Sequence, residues 1–73
     1  MENKFAVKLK ELRLEKGLSQ KDLAVKLGVS PRVISYYEDA SRECGFDMLI
    51  KISRFFGVST DFLLGVTDRK SVV

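Results

Sequence analysis

Residues 32–36 carry side chains that can recognise a polar surface through hydrogen bonds. Arg32 and Tyr36 are four residues apart, so on a helix they project from the same side, and Ser35 lies next to them. The guanidinium of arginine is a planar group that can donate two parallel hydrogen bonds, and the hydroxyl groups of serine and tyrosine can both donate and accept. The chemistry that this segment offers is therefore binding.

Gln20 is a second polar residue with a chemically informative position. It follows Ser19, a residue type that caps the N-termini of helices. The first turn of a helix has free backbone N–H groups and a positive dipole end, so it favours an anion, to which a glutamine amide can also donate. Lys21 adds a positive charge beside it. The alternative is that both side chains face solvent without a ligand.

Catalytic and metal-binding functions have few residues to use. The chain of 73 residues has no His and one cysteine, Cys44. It cannot by itself form a zinc site, a His-assisted nucleophile or a disulfide, and we expect no enzyme activity, metal or cofactor. No apolar run exceeds three residues, which excludes a membrane span of about 20 apolar residues. The first residues lack the apolar region of a signal peptide, so we expect a cytoplasmic protein.

Charge and glycine placement describe the rest of the chain. Thirteen Lys plus Arg against 10 Asp plus Glu give a net charge of +3, which is compatible with a polyanionic partner. Glycines divide the chain into five segments with helical spacing of apolar residues: they are Gly17, Gly28, Gly45, Gly57 and Gly65. We predict an all-α domain of five short helices over residues 1–66, followed by a flexible tail of residues 67–73.

The apolar spacing also predicts which side of each helix faces the core. In chain order, the predicted inward-facing residues are Phe5, Leu9 and Leu12, then Leu23, Ala24 and Leu27, then Ile34 and Tyr37, then Phe46, Leu49, Ile52 and Phe56, and finally Phe62 and Leu63. Asp22, three residues after Ser19, predicts a shortened capping box for the second helix.

The second and third helices are joined by a very short turn. Only Val29 separates Gly28 from Ser30 and Pro31, which form a helix cap followed by a first-turn proline. About three residues of turn cannot form a hairpin with long antiparallel arms, so the helices must cross steeply. One helix of such a pair could lie across DNA phosphates while the next enters the major groove. An ordinary helical bundle without a ligand at this turn explains the spacing equally well.

The sequence resembles the Cro and C1 repressor type of helix-turn-helix, also called the Xre family, over about residues 9–65. The matching strings are LR at 12–13, GLSQKDLA at 17–24, LGVS at 27–30, ISYYE at 34–38 and FGVSTDFLLG at 56–65. The resemblance implies a lambda-repressor-like domain of five helices, with the helix-turn-helix at helices 2 and 3. It also implies a transcriptional regulator, which we expect to be a repressor, that binds a double-stranded DNA operator as a homodimer on a pseudo-palindrome.

The resemblance also assigns roles to individual residues. The base-contacting positions that it implies are Pro31, Arg32, Val33, Ser35 and Tyr36, and the phosphate-contacting positions are Gln20, Lys21, Ser30 and Arg42. An arginine can donate two bonds to guanine O6 and N7, a pair worth about 1–3 kcal/mol of discrimination. Arg32 contacting only phosphate is the alternative. Tyr36 could pack on a thymine methyl, donate its hydroxyl to a base or phosphate, or be a surface aromatic without a DNA contact.

Two further sets of residues have structural roles in the resemblance. Arg13 and Glu38 match an arginine and a glutamate that pair across helices 1 and 3 in some family members, and the sequence leaves the burial of this pair open. The expected dimer contact consists of Phe55, Phe62, Leu64 and Val66. The alternative is that Phe62 completes the core while Phe55 and Leu64 are singly exposed.

The loop after helix 3 departs from the family pattern. Asp39 and Ala40 replace the usual asparagine and glycine, Glu43 adds a negative charge, and Cys44 stands where proline is common. Because alanine tolerates the left-handed conformation poorly, we expect helix 3 to end differently or Asp39 to take that conformation. These departures weaken the expectation of a phosphate contact from Arg42. Cys44 is either a redox-sensitive thiol or, as we favour, an ordinary loop cysteine.

A second function remains open on the same fold. The domain could be a protein-interaction module that binds a toxin or a partner regulator. Substitution of Arg32 separates the two functions, because it should abolish DNA recognition and leave a protein partner bound.

Overall fold

The computed structural model describes residues 4–68 and forms five α-helices in this range. The helices are α1 (Lys4–Glu15), α2 (Gln20–Leu27), α3 (Pro31–Glu38), α4 (Phe46–Phe56) and α5 (Thr60–Leu63). Residues 4–68 contain no β-strand, and the prediction of an all-α fold with five short helices is confirmed. Within the same range, no helix is both long and apolar enough to cross a lipid bilayer.

The predicted boundary between domain and tail falls near the end of the described residues. The chain continues beyond α5 to Asp68 without another helix. Residues 1–3 of the predicted domain and 69–73 of the predicted tail lie outside the described residues, so the boundary at residue 66 stays a prediction.

Short polar side chains cap the starts of α2 and α5. The Ser19 hydroxyl accepts a hydrogen bond from the Asp22 N–H at 3.0 Å, and the Asp22 carboxylate accepts one from the Ser19 N–H at 3.1 Å. The predicted capping box of α2 is thus confirmed. Ser59 caps α5 by accepting from the Phe62 N–H at 3.0 Å. Ser30 has the extended backbone of a cap, but its side chain makes no capping hydrogen bond to α3.

The turn between α2 and α3 is held by a glycine and a lysine. Gly28 ends α2 in the left-handed conformation (φ 73°), which a residue with a side chain adopts only at a cost. The ammonium group of Lys51, on α4, donates to the Leu27 carbonyl at 2.7 Å. A positive charge at this position satisfies a free carbonyl and the negative end of the α2 dipole. The contact attaches α4 to the turn.

The core contains apolar side chains from all five helices. The largest fully buried ones are Leu9, Leu23, Leu27, Ile34, Ile52 and Leu63. Every inward-facing residue predicted for α1, α2, α3 and α5 belongs to the buried core or packs against it. The inner side of α3 contacts α1 and α2, and the rings of Tyr37 and Phe5 meet edge to face with their centroids 6.2 Å apart.

The prediction for α4 is wrong at one residue. Leu49 and Ile52 are buried and Phe56 packs against the core, but Phe46 is 86% exposed. The reason is geometric. Three residues turn an α-helix by about 300°, so Phe46, which is six residues before Ile52, lies about 120° around the helix from it. Phe46 therefore shares the outer side of α4 with Ile50, which is 45% exposed.

Candidate nucleic-acid interface

Helix α3 has one buried side and one open side. Ile34 is fully buried, and Tyr37 packs against the core next to it. Of the predicted base-contacting residues, Pro31 and Arg32 are exposed, while the half-buried ones are Val33, Ser35 and Tyr36. The structure thus leaves every one of them at least partly accessible on the surface of a helix that the core holds in place.

The predicted phosphate-contacting residues lie on two helix starts and one loop. Gln20 and Lys21 are in the first turn of α2, and Ser30 directly precedes α3. Lys21 and Ser30 are exposed, whereas Gln20 is half-buried. Some first-turn N–H groups are already used, since the Asp22 N–H donates to Ser19 and the Val33 N–H donates to the Ser30 carbonyl. The positive end of each helix dipole still favours an anion such as a phosphate.

A buried ion pair joins α1 to the end of α3. Arg13 donates from Nε to Glu38 Oε2 at 2.6 Å and from Nη2 to Glu38 Oε1 at 3.1 Å. The two side chains are only 10% and 5% exposed. Arg13 also donates from Nη1 to the Leu18 carbonyl at 2.8 Å. The pair that the resemblance implied is present, and its burial, which the sequence left open, is now settled.

Gln20 takes part in the same network. Its Nε2 donates to Glu38 Oε1 at 3.2 Å, so one of the two amide N–H groups is already used. The phosphate contact of Gln20 stays a prediction, and the structure adds that Glu38 holds the amide while one N–H is left over. Sequence reasoning missed this contact. The available signal was that a carboxylate accepts about four hydrogen bonds, whereas the fork of one arginine directs two of its N–H groups to a single carboxylate.

The loop after α3 reverses through a left-handed alanine. Helix α3 ends at Glu38, and Ala40 has φ 64°, so the expectation that the helix end would shift or that Asp39 would take this conformation is wrong. Asp39 instead accepts the Ser41 N–H with its carboxylate at 2.8 Å. Hydrogen bonds from Ser41 to this side chain lower the pKa of Asp39 below its usual range. These bonds offset the cost of alanine in the left-handed region, which is about 1–2 kcal/mol.

Arg42 contacts a residue of α3. Its guanidinium carbon lies 4.7 Å from the centroid of the Tyr36 ring, and its backbone N–H donates to the Tyr36 carbonyl at 3.3 Å. Sequence reasoning had treated the two residues separately. Two residues after Arg42, Cys44 is half-buried and packs against the core, and burial raises the pKa of its thiol. A thiol with a raised pKa is mostly protonated and poorly reactive, which favours an ordinary loop cysteine.

The predicted dimer-contact residues divide into two groups. Phe62 is 5% exposed and belongs to the core, so it is removed from the predicted contact; the ammonium group of Lys8 lies 4.7 Å from its ring centroid. Phe55 is half-buried and its ring packs edge to face on Phe56. Leu64 and Val66 are 48% and 72% exposed, and they remain as the accessible part of the predicted contact.

Comparison with known proteins gives consistent similarities. The family profile described as Helix-turn-helix matches residues 9–63. The chain is 43% identical over 58 residues to the HTH-type transcriptional regulator ImmR of Bacillus subtilis, an alignment that covers 80% of this chain and 46% of ImmR. It is 41% identical over 54 residues to the uncharacterized HTH-type transcriptional regulator MJ0272 of Methanocaldococcus jannaschii, covering 74% of this chain and 82% of MJ0272. The chain spans about half the length of its Bacillus relatives.

Solved structures share the arrangement of helices. A transcriptional regulator from Listeria innocua superposes with a TM-score of 0.81 at 31% identity, over 89% of this chain and 61% of that one. The P22 c2 repressor protein, crystallised in complex with a synthetic operator, superposes with a TM-score of 0.78 at 27% identity, over 82% of this chain and 91% of the repressor. The lambda-repressor-like architecture predicted from the sequence is confirmed.

Proposed function

Because the chain belongs to the helix-turn-helix family of Cro and C1 type transcriptional regulators, we propose that it binds double-stranded operator DNA and represses transcription. The family consists of DNA-binding regulators and not of enzymes, in agreement with the sequence-based expectation. In the proposed mode of binding, α3 lies in the major groove and a dimer contacts a pseudo-palindromic site. The cytoplasmic location that the sequence predicts is part of this proposal.

One observation carries this proposal: α3 is anchored by a fully buried Ile34 while Arg32 on its opposite side is exposed. A helix fixed by its core side presents its outer side chains in a defined arrangement, which is what recognition of base edges requires. Arg32 is the residue that we assign to a guanine, with Tyr36 and Ser35 beside it. Pro31 and Val33 offer only carbon atoms, which suit contact with a thymine methyl.

Affinity would come from the sugar-phosphate backbone. Gln20 is held by Glu38 at the start of α2 and keeps one N–H free to donate. Lys21 is exposed beside it, and the hydroxyl of Ser30 makes no capping bond to its own helix. Together with Arg42, which lies in the loop after α3, these residues supply the phosphate contacts of the proposal.

The proposed dimer uses Leu64 and Val66, the exposed apolar residues after α5. A dimer of this family type places its two recognition helices about 34–36 Å apart, one turn of DNA. The proposed domain of residues 1–66 then ends at this contact.

The experiment is selection of bound sequences from random duplex DNA at a stated salt concentration, followed by affinity measurements over a range of salt. If a dimer neutralises about eight phosphates, log affinity falls against log salt with a slope of about −7. R32A should lower discrimination at one guanine per half-site by about 1–3 kcal/mol. K10M, which removes an exposed charge from α1 outside the proposed contacts, is the matched control. A slope near zero, or no selected sequence, refutes the proposal.

A second candidate function has one observation in its favour. Phe46 and Ile50 form an exposed apolar pair on the outer side of α4, where a partner protein could dock. An antitoxin-like or partner-regulator role predicts that R32A leaves binding of the partner unchanged, whereas F46S weakens it.

A further inference from the structure

Arg42 and Tyr36 form one stacked unit on the surface. The Arg42 guanidinium carbon is 4.7 Å from the centroid of the Tyr36 ring. A guanidinium within about 6 Å of a ring centroid is attracted by the negative face of the aromatic ring. Tyr36 belongs to α3, while Arg42 belongs to the loop between α3 and α4. Arg42, which lies outside α3, therefore covers one face of the ring of Tyr36, a proposed base-contacting residue.

The backbone fixes the position from which Arg42 reaches the ring. The Tyr36 carbonyl accepts the Ser41 N–H at 2.9 Å and the Arg42 N–H at 3.3 Å, and the Tyr37 carbonyl accepts the Ala40 N–H at 3.4 Å. Together with the left-handed Ala40, these bonds form a Schellman motif at the end of α3. Because the motif already orders the start of the Arg42 side chain, stacking requires less additional loss of conformational entropy.

We propose that Arg42 is a positioning residue that holds the Tyr36 ring in one orientation and so sharpens the choice of the base pair that Tyr36 contacts. This inference rests on the proposed function. With one face under the guanidinium, Tyr36 presents its other face, its edge and its hydroxyl to DNA. The N–H groups of a guanidinium lie in its own plane, so a stacked Arg42 still has donors for a phosphate. The stack thus couples a backbone contact to a base contact.

A simple phosphate contact predicts a different result. Phosphate contacts carry no direct sequence information, so loss of such a contact weakens binding to every sequence equally and lowers the salt slope by about 1. A positioning role predicts a loss of preference at one base pair. The measured quantity that separates the roles is therefore base preference, not affinity.

The experiment uses duplexes selected by the wild-type chain and single-base variants of them. For R42M we expect preference at one base pair of each half-site to fall about two- to fivefold, the range of an exposed cation–π contact, with preference at other positions unchanged. R42K keeps the charge but lacks the planar group. Because R42K keeps the charge, its salt slope should equal that of the wild type. Its preference at that base pair should stay below the wild-type value.

A double-mutant comparison tests whether Arg42 acts through Tyr36. In the Y36A background, R42M should cause no further loss of preference at the same base pair. K10M is the control for removal of one surface charge, and circular dichroism melting verifies that each variant is folded. An equal loss of affinity across all sequences, or an R42M effect on preference that persists without Tyr36, overturns the inference. Failure of the wild-type chain to select any duplex refutes the proposed function instead.

Discussion

Removing Arg13 should destabilise the domain severely, because it leaves the Glu38 carboxylate buried without its charge partner. Glu38 accepts two hydrogen bonds from Arg13, at 2.6 and 3.1 Å, and one from Gln20 at 3.2 Å. Its side chain is 5% exposed, so water cannot replace the lost donors. Breaking a buried pair from one side costs about 3–5 kcal/mol. A small domain has a total stability of only about 5–15 kcal/mol, so R13M removes a large fraction of it.

Replacing both partners should be far less harmful. In R13M/E38L no buried charge is left unpaired, and apolar replacement of a buried pair is often neutral or stabilising by about 1–4 kcal/mol. The four free energies of unfolding, from urea titrations of wild type, both single variants and the double variant, give the coupling energy. We expect about 3 kcal/mol or more.

Two results would contradict this reasoning. A coupling energy near zero would mean that the pair does not hold α1 and α3 together. A loss of at most about 1 kcal/mol in R13M would mean that the pair behaves as a solvated surface ion pair. Q20A is the internal comparison, since it removes a single hydrogen bond to the same carboxylate and should cost about 1.5–3 kcal/mol.

Three further predictions concern the loop, the capping box and α4. A40G should raise the free energy of unfolding by about 1 kcal/mol, because glycine adopts φ 64° without strain; a lower urea midpoint would contradict this. Hydrogen bonds from the backbone and the side chain of Ser19 lower the pKa of Asp22 below its usual range. This stabilisation is present above the unfolded-state pKa and is lost as pH falls through the lower folded-state pKa. The difference in urea midpoint between wild type and D22N should therefore shrink from neutral pH to pH values below the folded-state pKa, and a constant difference would refute the assignment. F46S should change stability by less than about 0.5 kcal/mol, whereas I52A should cost about 2–5 kcal/mol in the same denaturation assay.

The features of the fold that can be predicted from the sequence are those determined by residues that are close together along the chain. Ser19 with Asp22 determines the start of α2, and Gly28 determines its end, within a few residues of chain. Phe46 shows the limit of such patterns. Its three-residue spacing from Leu49 resembles a core face, yet over six residues the angle adds up and Phe46 lies about 120° around the helix from Ile52. Spacing between pairs of residues does not show this accumulated rotation.

The contacts that could not be predicted join residues whose proximity depends on tertiary packing or on an unusual backbone conformation, which the spacing of residue types does not show. Gln20 meets Glu38 only because α2 and α3 are packed against each other at the turn. Arg42 lies over Tyr36 only because Ala40 adopts a conformation that alanine usually avoids. The strain at Ala40 is offset by hydrogen bonds from Ser41 to Asp39 and Tyr36, and propensity rules for single residues do not include such compensation.

The position of Glu38 suggests how stability and DNA binding are coupled in the proposed mechanism. Glu38 ends α3, pairs with Arg13 of α1 and orients Gln20 of α2, so one carboxylate connects the recognition helix to both of its supports. A substitution at Glu38 should lower stability and also weaken binding to all sequences, because it releases a residue that we assign to phosphate. Arg32 is exposed and outside this network. Its substitution should change base preference and leave the free energy of unfolding nearly unchanged. In this domain the residues that fix α3 in place are therefore separate from the residues that we propose to select the sequence.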